Sequence, residues 1–339
     1  MQIGFASDLH INKEKWTLEV LRELIEKSPP ILILGGDVFD SFEDLVKQKD
    51  NFISIVENSN IEKVYFIPGN HDINGGSLKD IEKLNFGNKI VAITQTPYTS
   101  VIIGDQEFIF APFQKDLSKL YESEFSPPQF ERIFVGHGSI MDYNFTNEEE
   151  NSYFDNGFFD LIEANIVLLG HIHTPFQTGK IYYPGSARVW RKGECGEHGF
   201  LTFDMNERIY NFIKLESGGK FFSIKITVDE NNYYIPPDVQ NIDKNSFVEF
   251  VFEGVVNNIS ELETIKNEIK SKYPAKEIYF TEENIVEIGQ YYNSEIFKAF
   301  MKKWKELFDL QTDEKERENY LLARKLFLQE LKSFSGGKD

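Results

Sequence analysis

Short hydrophobic runs recur along the first 205 residues of the chain, at residues 3–6, 31–34, 64–67, 133–135 and 166–169. Between the first two runs, apolar residues follow the spacing of a helix: Trp16, Val20, Leu21, Leu24 and Ile25. Continuous apolar runs are typical of strands that are covered on both faces. The pattern therefore predicts a layered α/β domain over residues 1–205, with an antiparallel hairpin at residues 101–110.

A different pattern begins near residue 206. Phe222, Ile224, Ile226 and Val228 alternate with polar residues, as in a half-buried strand. An apolar run at residues 247–252, a helical pattern after it and a run at residues 277–280 follow. We interpret residues 206–288 as a small α+β cap domain.

Residues 289–339 have the pattern of two amphipathic helices. The second helix has leucines off its main apolar stripe: Leu321, Leu322, Leu326 and Leu328. One interpretation is that both helices pack only on their own chain. The other, suggested by the surplus of apolar surface, is that this C-terminal segment binds a partner. The partner would supply any ATP-driven step, because the sequence contains no phosphate-binding G-x-x-x-x-G-K-[ST] loop.

The composition of the chain limits the kinds of partner, metal site and cellular location that we expect. The formal net charge of −19 argues against a general basic surface that coats nucleic acid, although it leaves a local site possible. Cys195 is the only cysteine, which excludes an internal disulfide and makes a cysteine-ligated metal site unexpected. We expect a cytoplasmic protein without a membrane segment, because no apolar run approaches the length needed to span a bilayer.

Polar residues typical of a metal centre follow the five predicted strands. In chain order they are Asp8 and His10, then Asp37, then Asn70, His71 and Asp72, then His137, and finally His171 and His173. The carboxyl ends of strands in an open α/β sheet lie along one edge, so these residues are expected to converge. Carboxylates, imidazoles and an amide without thiolates suit manganese, iron or a similar divalent ion.

Each motif alone also has a structural explanation. A D-x-H pair can decorate a surface, a G-N-H-D segment can form a turn, and two histidines can be hydrogen-bonded within a core. Five of the six histidines nevertheless lie in these strand-end motifs. Their conjunction favours a metal site, whereas we expect the sixth histidine, His198, to be structural or close to the substrate.

The order D-x-H, G-D, G-N-H-D, G-H and G-H-x-H over residues 8–173 resembles the calcineurin-like metallophosphoesterase superfamily. The resemblance implies a β-sandwich flanked by helices that hydrolyses phosphate esters with two divalent ions, most simply Mn²⁺, with Fe²⁺ or Mg²⁺ as alternatives. One ion would be held by Asp8, His10, Asp37 and His173. The other would be held by Asp37, Asn70, His137 and His171, with Asp37 shared.

The same resemblance implies catalytic roles beside the metal ligands. His71 would position the phosphate or protonate the leaving group. Asp72 would orient the His71 imidazole, with a purely structural role in the turn as the alternative.

The segment YYPGSARVW at residues 182–190, the cap domain and the C-terminal helices resemble the SbcD and Mre-type nucleases of double-strand-break repair. This resemblance implies a manganese-dependent exonuclease and endonuclease that acts on DNA ends and single strands. It also implies a homodimer and an SbcC/Rad-type ATPase partner bound by residues 289–339. The acidic stretches SFEDLVK at residues 41–47 and residues 142–160 depart from the family pattern. A phosphodiesterase or phosphatase for a small molecule and a scaffold with a vestigial metal site are the alternatives.

Overall fold

The computed structural model describes residues 1–141, 153–207, 209–229 and 232–335. The chain divides into two compact units, Met1–Lys220 and Phe221–Asp339. Up to residue 214 the elements are β1 (Gln2–Ala6), α1 (Lys15–Lys27), β2 (Ile31–Leu34), α2 (Phe42–Glu57), β3 (Lys63–Phe66), α3 (Leu78–Glu82), β4 (Ile90–Ala92), β5 (Thr99–Ile103), β6 (Gln106–Ala111), α4 (Ser118–Tyr121), β7 (Glu131–His137), β8 (Ser139–Ile140), β9 (Tyr153–Phe154), α5 (Asn156–Leu161), β10 (Ile166–Gly170), β11 (Phe176–Thr178), β12 (Ile181–Tyr183), β13 (Gly199–Asp204) and β14 (Ile209–Lys214). The later elements are β15 (Lys220–Asp229), β16 (Asn232–Tyr234), β17 (Ser246–Val256), α6 (Ser260–Lys272), β18 (Glu277–Glu287), α7 (Glu295–Phe308) and α8 (Glu314–Ser335).

Two six-stranded sheets form the frame of the first unit. The first sheet has the order β14-β13-β1-β2-β3-β4, and the second has the order β11-β12-β10-β7-β6-β5. Strands β1 to β4 are parallel to their neighbours in that series, as are β6, β7, β10 and β12 in the second sheet. The carboxyl ends of the strands that precede the polar motifs therefore lie together at one edge of each sheet.

Three hydrophobic clusters join these layers. Phe5 of the first sheet and Phe108 of the second belong to a cluster that fills the space between the sheets. Helices α1 and α2 cover the outer face of the first sheet, with Phe52 in the shared core. Helix α5 covers the outer face of the second sheet through Phe158 and Phe159. The predicted fold class, a β-sandwich flanked by helices, is confirmed, and burial on both sheet faces explains the continuous apolar runs.

The predicted boundary between residues 205 and 206 falls inside the first sheet. Strands β13 and β14 pair antiparallel on either side of it, from Gly199 with Lys214 to Asp204 with Ile209. Most side chains of β14 are exposed, which is why no apolar run indicated that this edge strand continues the sheet. The first compact unit consequently extends to Lys220.

The second unit has its own sheet, with the order β16-β15-β17-β18. Helix α6 contributes Leu262 and Ile269 to a core that includes Ile226 and Phe250 of the sheet. These residues form the predicted α+β arrangement. Among the described residues, no helix is both long and apolar enough to cross a bilayer.

Helices α7 and α8 contribute to a second small core of this unit. Phe297 and Leu328 are buried there with Val286. The Phe300 ring stacks on Phe327, with 3.6 Å between ring centroids. The interpretation of Leu328 as surplus apolar surface is therefore wrong, whereas Leu321, Leu322 and Leu326 are exposed as the pattern indicated.

Candidate metal centre

The structure brings the predicted ligands together at the strand ends. Asp8, His10 and His173 form what we call the first cluster, and Asp37, His137 and His171 form the second cluster. Within each cluster the nitrogen and oxygen atoms able to bind a metal ion lie within 4.8 Å of one another.

Asn70 and Asp37 extend the second cluster. The carboxamide oxygen Oδ1 of Asn70 lies 3.1 Å from His137 Nε2. The carboxylate oxygen Oδ2 of Asp37 lies 3.3 Å from the same nitrogen. Both side chains are therefore placed as predicted, and the sharing of Asp37 between two ions stays a prediction.

The backbone is strained at these positions. Asp8, His10, Asp37 and His171 have positive φ angles of 54°, 46°, 51° and 94°. This left-handed conformation costs a non-glycine residue on the order of 1 kcal/mol and persists where surrounding contacts hold it. Here the two loops hold each other, because the main-chain N–H groups of Asp8 and His10 donate to the carbonyls of Gly36 and Asp37, each at 3.0 Å.

Close approach between these loops requires glycine at two positions. A Cβ atom at Gly69 would lie 2.2 Å from Asp37 Oδ1. A Cβ atom at Gly36 would lie 2.3 Å from His137 Nδ1, and the φ of Gly36 is +99°. Any side chain at either position would displace a predicted ligand.

Main-chain groups orient the second cluster. His137 Nδ1 donates to the Gly35 carbonyl at 2.8 Å. Because a carbonyl can only accept, the proton of the neutral ring is on Nδ1, and the lone pair of Nε2 points toward Asp37 and Asn70.

Carboxylates lie behind the imidazoles of the first cluster. His10 Nδ1 is 3.2 Å from Asp40 Oδ1, and His173 Nδ1 is 2.5 Å from Glu194 Oε1. The two Nε2 atoms face each other at 3.3 Å. As in the second cluster, the outer nitrogen of each ring faces an oxygen atom and the inner nitrogen points toward the centre.

The arrangement fits a bound cation. Asp8 Oδ1 is buried without a hydrogen-bond partner in the described part of the chain, and it lies 3.6 Å from His173 Nε2. Lone pairs of nitrogen and oxygen thus converge in a buried space. Such a set of atoms suits a divalent ion of borderline to hard character.

Where no cation is bound, the carboxylates of the centre favour the protonated form of two imidazoles. Burial opposes a charge on both imidazoles, but Asp37 raises the pKa of His137 to about 9, and Asp8 and Glu194 raise the pKa of His173 to about 10. Burial lowers the pKa of His10 to about 4. Two of these three imidazoles therefore retain a proton near neutral pH until a metal ion replaces it.

His71 and Asp72 have different surroundings, although they are adjacent in sequence. His71 is partly exposed, and its Nδ1 donates to the Asp40 carbonyl at 3.1 Å. Asp72 is fully buried, and it accepts from the N–H groups of Phe39 at 2.7 Å and Gly69 at 2.8 Å. These contacts agree with the structural alternative for Asp72, and its role in orienting His71 stays a prediction. Through these hydrogen bonds Asp72 joins two loops. It is too deeply buried to contact a substrate.

The sequence motifs did not assign functions to three residues that contact this centre. Asp40 lies behind His10, Glu194 lies behind His173, and the Trp190 ring stacks on His10 with 4.3 Å between centroids. Trp190 ends the segment at residues 182–190 that carries the nuclease resemblance, but residues 191–198 form no motif, so only the fold reveals the position of Glu194. The sixth histidine, His198, is buried, with Nδ1 3.0 Å from Ser186 Oγ.

This fold and set of ligand side chains are those of a metallophosphoesterase. Residues 1–194 match the family model for calcineurin-like phosphoesterases, and the chain belongs to this family. The family typically binds two divalent metal ions, in agreement with the clusters described above. The protein is thus a metal-dependent phosphoesterase.

Several solved structures match part of the chain. An archaeal phosphodiesterase is 16% identical, with a TM-score of 0.35, and the match covers 63% of this chain and 100% of that one. A purple acid phosphatase from yellow lupin seeds is 12% identical, with a TM-score of 0.45, and the match covers 64% of this chain and 52% of the lupin enzyme. A dimetal phosphatase from Danio rerio is 9% identical, with a TM-score of 0.39, and the match covers 60% of this chain and 91% of the phosphatase. No curated protein sequence matches the chain significantly.

Proposed function

We propose that this phosphoesterase is a manganese-dependent nuclease that hydrolyses phosphodiester bonds at DNA ends, as the nuclease subunit of an SbcCD-like repair complex. One observation carries the phosphodiester chemistry: a partly exposed imidazole, His71, lies beside two buried clusters of metal-binding side chains. Its ring centroid is 4.8 Å from that of His10. The choice of DNA rests on the sequence resemblance of residues 182–190 and of the later domains.

His71 is suited to serve the leaving group. Two bound divalent ions would neutralise phosphate charge and activate the attacking water. Because Nδ1 of His71 donates to the Asp40 carbonyl, this hydrogen bond orients the ring and leaves Nε2 as the nitrogen that can serve a ligand. In the imidazolium form, Nε2 can donate its proton to the departing ester oxygen.

Three substrates distinguish this proposal from its alternatives. The purified chain, loaded with Mn²⁺, is incubated with single-stranded DNA, with bis-p-nitrophenyl phosphate and with p-nitrophenyl phosphate. We expect cleavage of the DNA and of the model diester. Hydrolysis of the small esters without DNA cleavage would replace the nuclease by a small-molecule phosphoesterase, and no hydrolysis at all would favour a scaffold.

The small-molecule alternative has one observation in its favour. The net charge of −19 repels a polyanion over the surface as a whole, whereas a small phosphate ester responds mainly to the local field of the metal centre. Salt dependence separates the two substrates. If DNA is the substrate, added salt should change its cleavage much more than it changes hydrolysis of the model diester.

We also propose that an SbcC-like ATPase covers part of helix α8. Leu321, Leu322 and Leu326 are 44%, 54% and 53% exposed, so an apolar surface is available on this helix. Phe297, Phe300 and Trp304 of α7, in contrast, are engaged within the chain. Phe297 lies in the core, Phe300 stacks on Phe327, and Trp304 Nε1 donates to the Tyr320 carbonyl.

Surface substitutions test this partner without cutting into the core. The triple change Leu321→Glu, Leu322→Glu and Leu326→Glu should leave the chain folded and its diesterase activity intact, while co-purification with the ATPase is lost. The exposed Ile296→Glu on α7 is the matched control. Unchanged ATPase binding by the triple variant would place the partner surface elsewhere. Analytical ultracentrifugation of the unmodified chain tests the proposed homodimer.

A further inference from the structure

We propose that Glu194 is a positioning residue of the metal centre, which fixes the His173 imidazole and strengthens the hold of the first cluster on its ion. The inference rests on the metal centre of the proposed function, and it is independent of whether DNA is the substrate.

The Glu194 carboxylate is itself held rigidly. One oxygen, Oε1, lies 2.5 Å from His173 Nδ1. The other, Oε2, accepts the main-chain N–H groups of Trp190 at 2.7 Å and Arg191 at 3.2 Å. The side chain is only 10% exposed. Its own loop therefore orients this carboxylate toward the imidazole.

The charge of Glu194 acts on His173. His173 Nδ1 and the main-chain N–H groups of Trp190 and Arg191 lie within hydrogen-bond distance of the carboxylate, and such donors stabilise its ionised form. An ionised carboxylate that accepts a hydrogen bond from Nδ1 leaves the lone pair of Nε2 directed at the cluster and makes that nitrogen more basic. A more basic Nε2 binds a divalent cation more strongly.

The same loop supports the second imidazole of the first cluster. Trp190 stacks on the His10 ring, and its Nε1 donates to Asp40 Oδ1 at 2.7 Å. That Asp40 oxygen is the one that lies 3.2 Å from His10 Nδ1. Residues 190–194 thus contribute to the support of both imidazoles of the first cluster. A change at Glu194 should consequently affect one ion and spare the other.

Titration of the full-length, metal-free chain with Mn²⁺ tests the inference. Glu194→Gln keeps the size of the side chain and removes its charge, whereas Glu194→Asp keeps the charge and shortens the reach. We expect both changes to weaken one of the two Mn²⁺ sites by roughly 10- to 100-fold and to leave the other unchanged. Glu197→Gln is the control, because the exposed Glu197 carboxylate in the same loop pairs with Lys214 at 3.1 Å.

Thermal unfolding of the metal-free variants separates positioning from general stability. We expect melting temperatures close to that of the unmodified chain. Two wild-type Mn²⁺ affinities in Glu194→Gln would overturn the inference. Equal weakening of both sites, together with a lower melting temperature, would also overturn it, because Glu194 would then support the fold as a whole. Failure of DNA cleavage alone would overturn the proposed nuclease and leave this titration unaffected.

Discussion

The first cluster is backed by side-chain carboxylates, whereas the second is backed mainly by main-chain groups. Asp40 and Glu194 lie behind His10 and His173, while the Gly35 carbonyl accepts a hydrogen bond from His137 Nδ1. Main-chain groups at strand ends are placed by the sheets themselves. Carboxylates from surrounding loops add negative charge that the sheets alone do not supply.

The two clusters therefore depend on different features, the second on backbone geometry and the first on the charge of nearby carboxylates. The second cluster is set by parallel strands and by glycines that allow close approach, so it should tolerate changes in the surrounding loops. The first cluster carries two extra carboxylates, and its affinity for a cation should depend on them.

The largest effect should come from removal of Asp37, the side chain predicted to serve both clusters. Asp37→Ala should lower the hydrolysis of a model diester about 1000-fold or more, the scale of several kcal/mol of charge stabilisation. Loss of both Mn²⁺ sites in the titration would show that the clusters share this carboxylate. Loss of only the second site would show that they are independent, and a wild-type rate would contradict the two-metal assignment.

Replacement of His71 should separate chemistry from metal binding. His71→Ala should lower the rate by roughly 100-fold, as expected for the loss of a group that donates a proton or positions the phosphate. The variant should retain both Mn²⁺ sites, since His71 belongs to neither cluster as defined here. His71, His10 and Asp40 also lie close enough to share an ion. A missing ion in the variant would therefore move His71 into the set of ligands.

Asp72 should matter for stability rather than for the reaction itself. In Asp72→Asn, the amide can accept from one loop but presents N–H groups to the other, which leaves buried donors unpaired. We expect the free energy of unfolding to fall by about 2 kcal/mol. Urea denaturation of the metal-free protein measures it, with the exposed Asp50→Asn as the control. An unchanged free energy of unfolding together with a slower reaction would restore the catalytic role that burial argues against.

Metal uptake should release protons from both clusters. The raised pKa values of His137, about 9, and His173, about 10, mean that both rings are protonated at pH 7. Metal ions bind neutral imidazole, so each ring must lose its proton, and the affinity should rise up to about tenfold per proton with each pH unit between pH 7 and 9. His10, with a pKa of about 4, is already neutral and should release none.

Calorimetry in buffers of different ionisation enthalpy counts the released protons. Two protons for two Mn²⁺ ions are expected, one from each cluster. A count of zero would contradict the protonation states assigned to His137 and His173. A single proton that disappears in Glu194→Gln would assign proton release to the first cluster alone.

The sequence was sufficient for the residues that the sheets place. The continuous apolar runs marked strands buried on both faces, and the polar motifs at their ends marked the edge where Asp8, Asp37 and His171 meet. The sequence left two roles open for Asp72, because its buried contacts with Phe39 and Gly69 depend on two loops that are distant in sequence. Glu194 was missed for a similar reason, since a loop contact across the fold has no local pattern.

Helices α7 and α8 show a different limit of sequence-based prediction. Periodicity identified the apolar faces of α7 and α8, but it could not distinguish a face buried in the chain from one left open. Phe297 and Leu328 are buried, whereas Leu321 is exposed, although all three are apolar residues on helices. Only the packing of these helices within the second unit determines which of their apolar side chains are buried.

The positive φ angles at the predicted ligands set stability and activity against each other during evolution. Glycine at position 8, 10, 37 or 171 would relieve backbone strain on the order of 1 kcal/mol and remove a ligand at the same time. Selection for stability alone would therefore favour inactive chains at these four positions. Only selection for function retains the aspartates and histidines, so a library screened for folding should accumulate glycine there, and one screened for phosphoesterase activity should not.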